Sequence, residues 1–255
     1  MRVAWIQVAP VKGMALYQVD EVELTEAGPV GDRRFFMIAE NGRLVNAKGI
    51  GVLQQIRPTY DEAAGTLELQ LPGGEVVAGE VALGETVEAN FWGAPREVRL
   101  VEGPFTSAIA DLTGRDLRLT FSPLPAPDRA RSGAASLLST SALDVLADEL
   151  GVESVDPRRF RMHFGIEGTE PHAEEGWFRQ RVSIGDAVVI PIGNVGRCAV
   201  TTQDPDTGEP NLDTLKALAR YRADVETSEP LPFGVYGSVA QAGRVRVGDP
   251  VQLAN

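Results

Sequence analysis

The stretch VGRCAVTTQDPDTGE, residues 195–209, holds the only cysteine of the chain, Cys198. A lone cysteine is ordinarily a small buried hydrophobe. Its neighbours point toward chemistry instead. Arg197 favours the thiolate, the form that binds soft metals or attacks electrophiles. Thr201, Thr202, Asp204 and Asp206 follow with hydroxyls, carboxylates and turn-forming residues rather than more core. A papain-like nucleophile is less attractive, because the two histidines, His163 and His172, bring no family signature around the cysteine. A second set of polar residues sits where strands end: PVKG at 10–13 with Lys12 and Gly13, GDRRFF at 31–36 with Arg33 and Arg34, and RRFRMHF at 158–164 with Arg161. Taken singly, such cations project into water as often as they bind an anion.

Other chemistries are missing from the sequence. There is no CxxC or cysteine–histidine cluster for structural zinc or an iron–sulfur centre, and one cysteine makes no intramolecular disulfide. No Walker loop, GxGxxG turn, GxSxG elbow or HExxH helix occurs. The formal charge of −12 disfavours binding to nucleic-acid backbone, which needs a basic surface. An anionic ligand therefore needs a local basic site. No apolar run approaches the ~18 residues of a membrane span, and the start MRVAWIQVAP lacks the pattern of a signal peptide. The expectation is a cytoplasmic protein that does not engage membranes.

The elements that must position these residues are mostly strands. The chain has 255 residues, 43% of them hydrophobic, and its 27 glycines and 17 prolines punctuate short alternating segments such as RVAWIQV, QVDEVELT, TLELQL and REVRLV. Asn41-Gly42 predicts a hairpin with a type I′ turn, and LPGGEV at 71–76 predicts another. Three segments have helical spacing. Residues 106–114 run from a Thr106 cap to a Gly114 stop. Residues 139–151 align Leu143, Leu146 and Leu150 behind the hydroxyls of Ser139, Thr140 and Ser141. Residues 211–222 start at an Asn211 cap and align Leu212, Leu215, Leu218 and Tyr221. The proline- and arginine-rich residues 122–133 predict a linker or mobile loop.

In this order, PVKG, GDRRFFMIAENGRLVNA, LLSTSALDVL, RRFRMHFGI, WFRQRVSIGDAVV, GRCAVTTQDPDTGEP, LDTLKALARYR and GRVRVGDPV resemble the MOSC-domain family, the molybdenum cofactor sulfurase C-terminal-like proteins. The resemblance is to its two-part branch, which includes amidoxime-reducing components and bacterial reductases of N-hydroxylated compounds. It implies a β-dominated α+β fold. An N-terminal β-barrel-like domain, residues 1–120, would pack on a MOSC-type β-barrel domain with a few helices, residues 121–255. The cofactor, molybdenum held by a molybdopterin dithiolene, would lie between them; pyridoxal phosphate is not expected.

By the same resemblance Cys198 is the protein's thiolate ligand to molybdenum. Lys12, Gly13 and Arg34, with Arg33 as the register alternative, would contact the pterin and its phosphate together with Arg161, and Ser139, Thr140, Arg197, Thr201 and Thr202 would approach the cofactor. Asp204 would serve as a proton relay or substrate anchor near the metal's open position; its other reading is that it and Asp206 close the turn announced by Pro205 and Gly208. The sequence departs from the family at NAKG (46–49), where relatives have TARQ, and at FRMH (160–163), where relatives have FRPN. His163 there is either a substitute polar contact or the mark of a divergent site. The implied reaction is two-electron reduction of an N–O bond in an N-hydroxylated small molecule. The chain lacks the cysteines of a ferredoxin-like cluster, so electrons would come from a separate donor of ferredoxin, flavodoxin or cytochrome type. The alternative is a sulfur carrier with a persulfide on Cys198.

Overall fold

The computed structural model describes residues 1–123, 125, 128–227 and 229–253. Strands dominate, as expected, with three α-helices among the described residues: α1 (Phe105–Thr113), α2 (Thr140–Leu150) and α3 (Thr214–Tyr221). The strands form four sheets, each open in its hydrogen-bonded order among the described residues.

The largest sheet has eight strands, in the order Val251–Leu253, Val182–Ile184, Ala187–Gly196, Pro232–Gln241, Ala135–Ser139, Phe164–Glu167, Arg2–Val8 and Tyr17–Val19. Its one parallel pair, Ala135–Ser139 with Phe164–Glu167, is joined through α2, as a parallel connection requires a crossover. The first strand thus lies in the sheet built mainly by the last 120 or so residues. Gly165 is required there, because a Cβ would collide with the Trp5 indole of the neighbouring strand.

A five-stranded sheet, in the order Ala82–Phe91, Ala94–Glu102, Leu117–Phe121, Phe35–Ala39 and Leu44–Val45, organises the other half. Its strand FFMIA is buried on both faces. Phe35 and Met37 enter one apolar cluster with Leu53 and Phe105, while Phe36 and Ile38 enter another with Phe91 and Val98, as the two-residue period dictates. Two smaller sheets, Gly243–Arg246/Glu21–Thr25/Gly28–Pro29 and Arg57–Asp61/Thr66–Gln70/Val76–Glu80, complete the layers.

Several local expectations are met and some are corrected. Gly114 and Gly151 end α1 and α2 in left-handed conformation, at φ 64° and 67°. Leu143 and Leu146 are buried on α2, with Leu150 partly so. The cap of α1 is Pro104; Thr106 instead accepts a bond from Leu119 N–H at 3.3 Å. Helix α3 begins after Asp213, because the Asn211 side chain is drawn into the loop beside it. The Asn41-Gly42 hairpin forms, but only Gly42 has positive φ, at 76°, while Asn41 accepts from Arg43 N–H. Both-positive geometry occurs instead at Trp92-Gly93, at φ 57° and 91°. The 71–76 hairpin is present between Thr66–Gln70 and Val76–Glu80. Of the predicted loop 122–133, Leu124, Ala126 and Pro127 lie outside the described residues; a short 3-10 turn covers Ala130–Gly133.

Candidate functional site

Cys198 follows the strand Ala187–Gly196 and opens a 3-10 turn, Ala199–Thr202. Its thiol is free and exposed. The turn is tight because its hydroxyls serve it: Thr201 Oγ1 donates to Cys198 O at 3.1 Å and pairs with Thr214 Oγ1 at 2.8 Å, and Thr202 Oγ1 donates to Ala199 O at 2.7 Å. Arg197 points inward. It is buried, donates to Phe233 O and to Phe160 O (2.9 Å), and lies against the Phe160 ring. Burial pushes its pKa below the usual guanidinium value, with the Cys198 sulfur acting the other way. Its guanidinium braces the loop from behind.

Asp204 is committed to the turn that follows. Its Oδ1 accepts from Asp206 N–H (2.9 Å) and Thr207 N–H (3.1 Å), and its Oδ2 from Asn211 (3.0 Å). The Asp206 N–H first, then Thr207, Asn211 and the charge of Arg159, hold its carboxyl below the usual range despite some desolvation. The turn-closing reading of Asp204 and Asp206 has the geometry; Asp206 is bound by Arg158 at 2.8 Å.

The loop docks on the other half of the chain. Gln203, buried, donates to Ala47 O at 3.0 Å and accepts from Gln54 at 2.9 Å, while Gln55 donates to Thr207 O at 2.7 Å. A Cβ on Gly208 (φ 75°) would strike the Gly51 carbonyl, and one on Gly51 would strike Gly208. The Asn46–Gly49 segment therefore lies directly under the cysteine loop. Gly13, at φ 89°, approaches the same segment so closely that a Cβ there would sit only 3.2 Å from Ala47 N and Asn46 Cα.

Beside Gly13 lies a seam of buried charge. Lys12 is 7% exposed; its ammonium meets Asp128 at 2.6 Å and sits 5.3 Å above the Phe91 ring. Burial, then the neighbouring charges of Arg33 and Arg161, lower its pKa, and Asp128 opposes them. Arg161 takes φ 54° and donates to Met14 O at 2.8 Å. Burial and Arg33 push its pKa down to about 10. Arg33 donates to Arg161 O at 3.0 Å, and its guanidinium also contacts Asp32 and His163.

Of the two arginines in GDRRFF, Arg33 joins this cluster. Arg34 turns away to Glu62, to Ser122 O at 3.2 Å and to the Phe121 ring at 4.8 Å. His163 is buried, its Nδ1 3.2 Å from Ser136 Oγ and its Nε2 3.1 Å from Asp32 Oδ2. Burial lowers its pKa against the pull of Asp32. For Asp32, burial acts upward, but Arg33, His163 and the Ala9 N–H overcome it and hold the carboxyl well below the usual range. Asp32 and Asp128 are site residues that sequence reasoning missed. Asp32 had a signal, a carboxylate directly before two arginines; Asp128 had none beyond its place in a proline-rich loop.

Ser139 and Thr140 stand apart from this seam, at the start of α2. Ser139 is buried and makes no cap bond; its Oγ accepts from His172 N–H at 3.0 Å. Among the described residues no three His, Cys, Asp or Glu side chains gather as a metal cage. The site's donor set is one exposed thiol together with cations set back in the seam. That suits an anionic group which carries most of its metal's ligands itself, and is a poor match for a bare ion.

The chain is similar to known proteins along nearly its whole length. The chain is 27% identical to mitochondrial amidoxime-reducing component 1 of Mus musculus and 30% identical to mitochondrial amidoxime reducing component 2 of Macaca fascicularis. Each alignment covers 98% of this chain and 82% of the relative. It is also 26% identical to molybdenum cofactor sulfurase of Danio rerio, over 89% of this chain but 30% of that larger protein. Residues 1–103 match the MOSC N-terminal beta barrel domain and residues 116–252 match the MOSC domain, and with the second match alone spanning over half its length, the chain belongs to the MOSC family.

Proposed function

We propose that the protein is a molybdenum-cofactor-dependent reductase of N-hydroxylated small molecules that draws electrons from a separate redox protein. The observation that carries this reading is the pairing of an exposed Cys198, on a loop braced from both halves, with the buried Lys12 and the partly buried Arg33 and Arg161. Both amidoxime-reducing relatives align along almost the whole chain, which supports the same reading.

When bound, the cofactor supplies two sulfur ligands and a metal able to exchange two electrons. The chain supplies the rest. Cys198 offers the protein's single soft ligand from a turn whose hydroxyls are already paired. Lys12, Arg161 and Arg33 would hold the phosphate through charge-assisted bonds, and Gly13 lets the Lys12 segment pack closely on Asn46 and Ala47. Arg197 and Gln203 brace the loop that carries the thiol. In the net reaction the N–O bond breaks, two electrons arrive from the donor protein, two protons are taken up, and the oxygen leaves as water.

The test is metal and pterin analysis of protein made in a host that synthesises the cofactor, with reduction of an amidoxime by a chemical donor. Wild type is expected to hold molybdenum and reduce the amidoxime, and Cys198→Ala to lose both. Full molybdenum and activity in Cys198→Ala would overturn the reading. The exposed thiol and the sulfurase relative favour one rival, a persulfide carrier. A sulfur adduct on Cys198 after treatment with a cysteine desulfurase, with no reduction of any N-hydroxylated compound, would establish it instead.

A further inference from the structure

Trp92 is in an unusual place. It is the first central residue of a two-residue hairpin turn between Ala82–Phe91 and Ala94–Glu102, at φ 57° with Gly93 at 91°. That position favours Asn, Asp or Gly; a bulky side chain there is strained, and such strain persists where something else depends on it. The residue is also 58% exposed, the largest exposed fraction of any large hydrophobic among the described residues. Its indole N–H donates to Asp128 at 2.6 Å, which fixes the edge of the ring and leaves the rest to solvent.

The ring borders an open cleft of about 820 Å³ whose walls also include Arg43, Asn46, Lys48, Arg115 and Asp116. This volume lies in the range of small-molecule sites. Arg43 and Lys48 use their backbone N–H groups to close turns on Asn41 and Asn46, and their charged ends, like that of Arg115, are exposed. Three cations against the single carboxylate of Asp116 form a positive concavity in a chain whose formal charge is −12. Anions are drawn to such a concavity. Asn46 and Lys48 belong to the NAKG segment that lies under the cysteine loop, so the cleft opens beside the candidate cofactor site.

We propose that this cleft binds a planar ligand carrying an anionic group, with Trp92 stacking on its ring and Arg43, Lys48 and Arg115 taking the anion. It rests on the proposed function for the identification of that ligand as the substrate, whose class becomes flat N-hydroxylated compounds with a carboxylate or phosphate. The binding step itself does not depend on molybdenum.

Calorimetric titration of the purified protein with 2-naphthoate, 2-naphthyl phosphate and the uncharged 2-naphthamide tests it. Both anions are expected to bind about ten-fold or more tightly than the amide, and the tighter of the two assigns carboxylate or phosphate. Arg43→Ser with Arg115→Ser should erase that preference while leaving the amide unchanged. Trp92→Ala should weaken all three, and Trp92→Phe, which keeps a ring but not the bond to Asp128, should retain most of the affinity. Equal binding of amide and anions, a preference that survives the double substitution, or equal losses in Trp92→Phe and Trp92→Ala would overturn the inference. Molybdenum content measured on the same samples separates the two levels: normal metal with no anion preference sinks this inference alone, whereas anion preference in a protein that never takes up molybdenum sinks the reductase reading alone.

Discussion

The cysteine loop and the charged seam beside Lys12 are built from different materials. Around Cys198 the loop is held mainly by hydroxyls on carbonyls, the Gln54–Gln203 amide pair, and two glycine backbones pressed together at Gly51 and Gly208, with charge confined to Arg197 behind it and to the Asp204 and Asp206 carboxylates of the turn that follows. The seam is held by buried ionic groups, with Asp32, Arg33 and His163 interlocked and Lys12 tied to Asp128. Neutral contacts are indifferent to pH near neutrality, whereas each buried charge links its neighbours to proton uptake. The part of the site that presents Cys198 therefore depends on protonation only through the Asp204 and Asp206 carboxylates of the following turn, both held below the usual range, whereas the seam carries buried titratable groups throughout.

Asp32→Asn attacks the seam at its centre and should have the largest effect. It leaves Arg33 buried without its carboxylate, and removing one partner of a buried pair costs about 3–5 kcal/mol. Urea denaturation at neutral pH measures it; a loss under about 1 kcal/mol would mean the seam is not held by charge. The same group sets an acid dependence. Its carboxyl is depressed in the folded state, so its contribution is present above the unfolded pKa, near 4, and is lost as pH falls below that value. His163 acts in the same direction at higher pH. Its folded pKa is lowered, so the unfolded state takes up its proton first as pH drops through about 6.5, and stability declines. Melting temperatures from pH 7 to pH 4 should fall, and less steeply in His163→Gln.

Gly208→Ala should come next, at about 1–3 kcal/mol, because it adds a Cβ where φ is positive and the Gly51 carbonyl is already in contact. Its cost should be the same at pH 7 and pH 5, which would sharpen the contrast with the seam; a strong pH dependence would break it. Asp128→Asn is expected to cost about 1–2 kcal/mol: its own side chain is 60% exposed, but it leaves the buried Lys12 ammonium without its partner. It should also lower the Lys12 pKa further, by removing the charge that now opposes burial. Cys198→Ser should be the mildest, within about 0.5 kcal/mol of wild type, because an exposed thiol contributes little to folding. A larger loss would show the cysteine to be structural.

Much of this was legible from residue types and spacing. The polar company of Cys198 announced its exposure, Gly114 and Gly151 marked helix ends, and glycine-bearing turns marked hairpins. What was hidden depends on choices between equal local options. Phe35 and Phe36 are both apolar and both buried, so the strand pattern could not tell which of Arg33 and Arg34 would face the seam. Asn211 could cap a helix or bridge Asp204 and Arg159, and the second option was decided by a loop 50 residues away in sequence. The bonds from Gln54 to Gln203 and from Asp128 to Lys12 span more than 100 residues and leave no periodic trace.

The strand Arg2–Val8 has a consequence for how the molecule is made. It is made long before the strands it joins: it pairs with Phe164–Glu167, and Val3 exchanges backbone bonds with Gly248 and Asp249. Such distant pairing carries loop-closure entropy that must be met before the contact stabilises anything, which slows folding. Until its partner strands are made, the apolar side chains that it sends to two different clusters, Val3, Ile6 and Val8 to one and Trp5 to the other, have no sheet to join. Until then the segment is an unpaired apolar strand of the kind that chaperones shield.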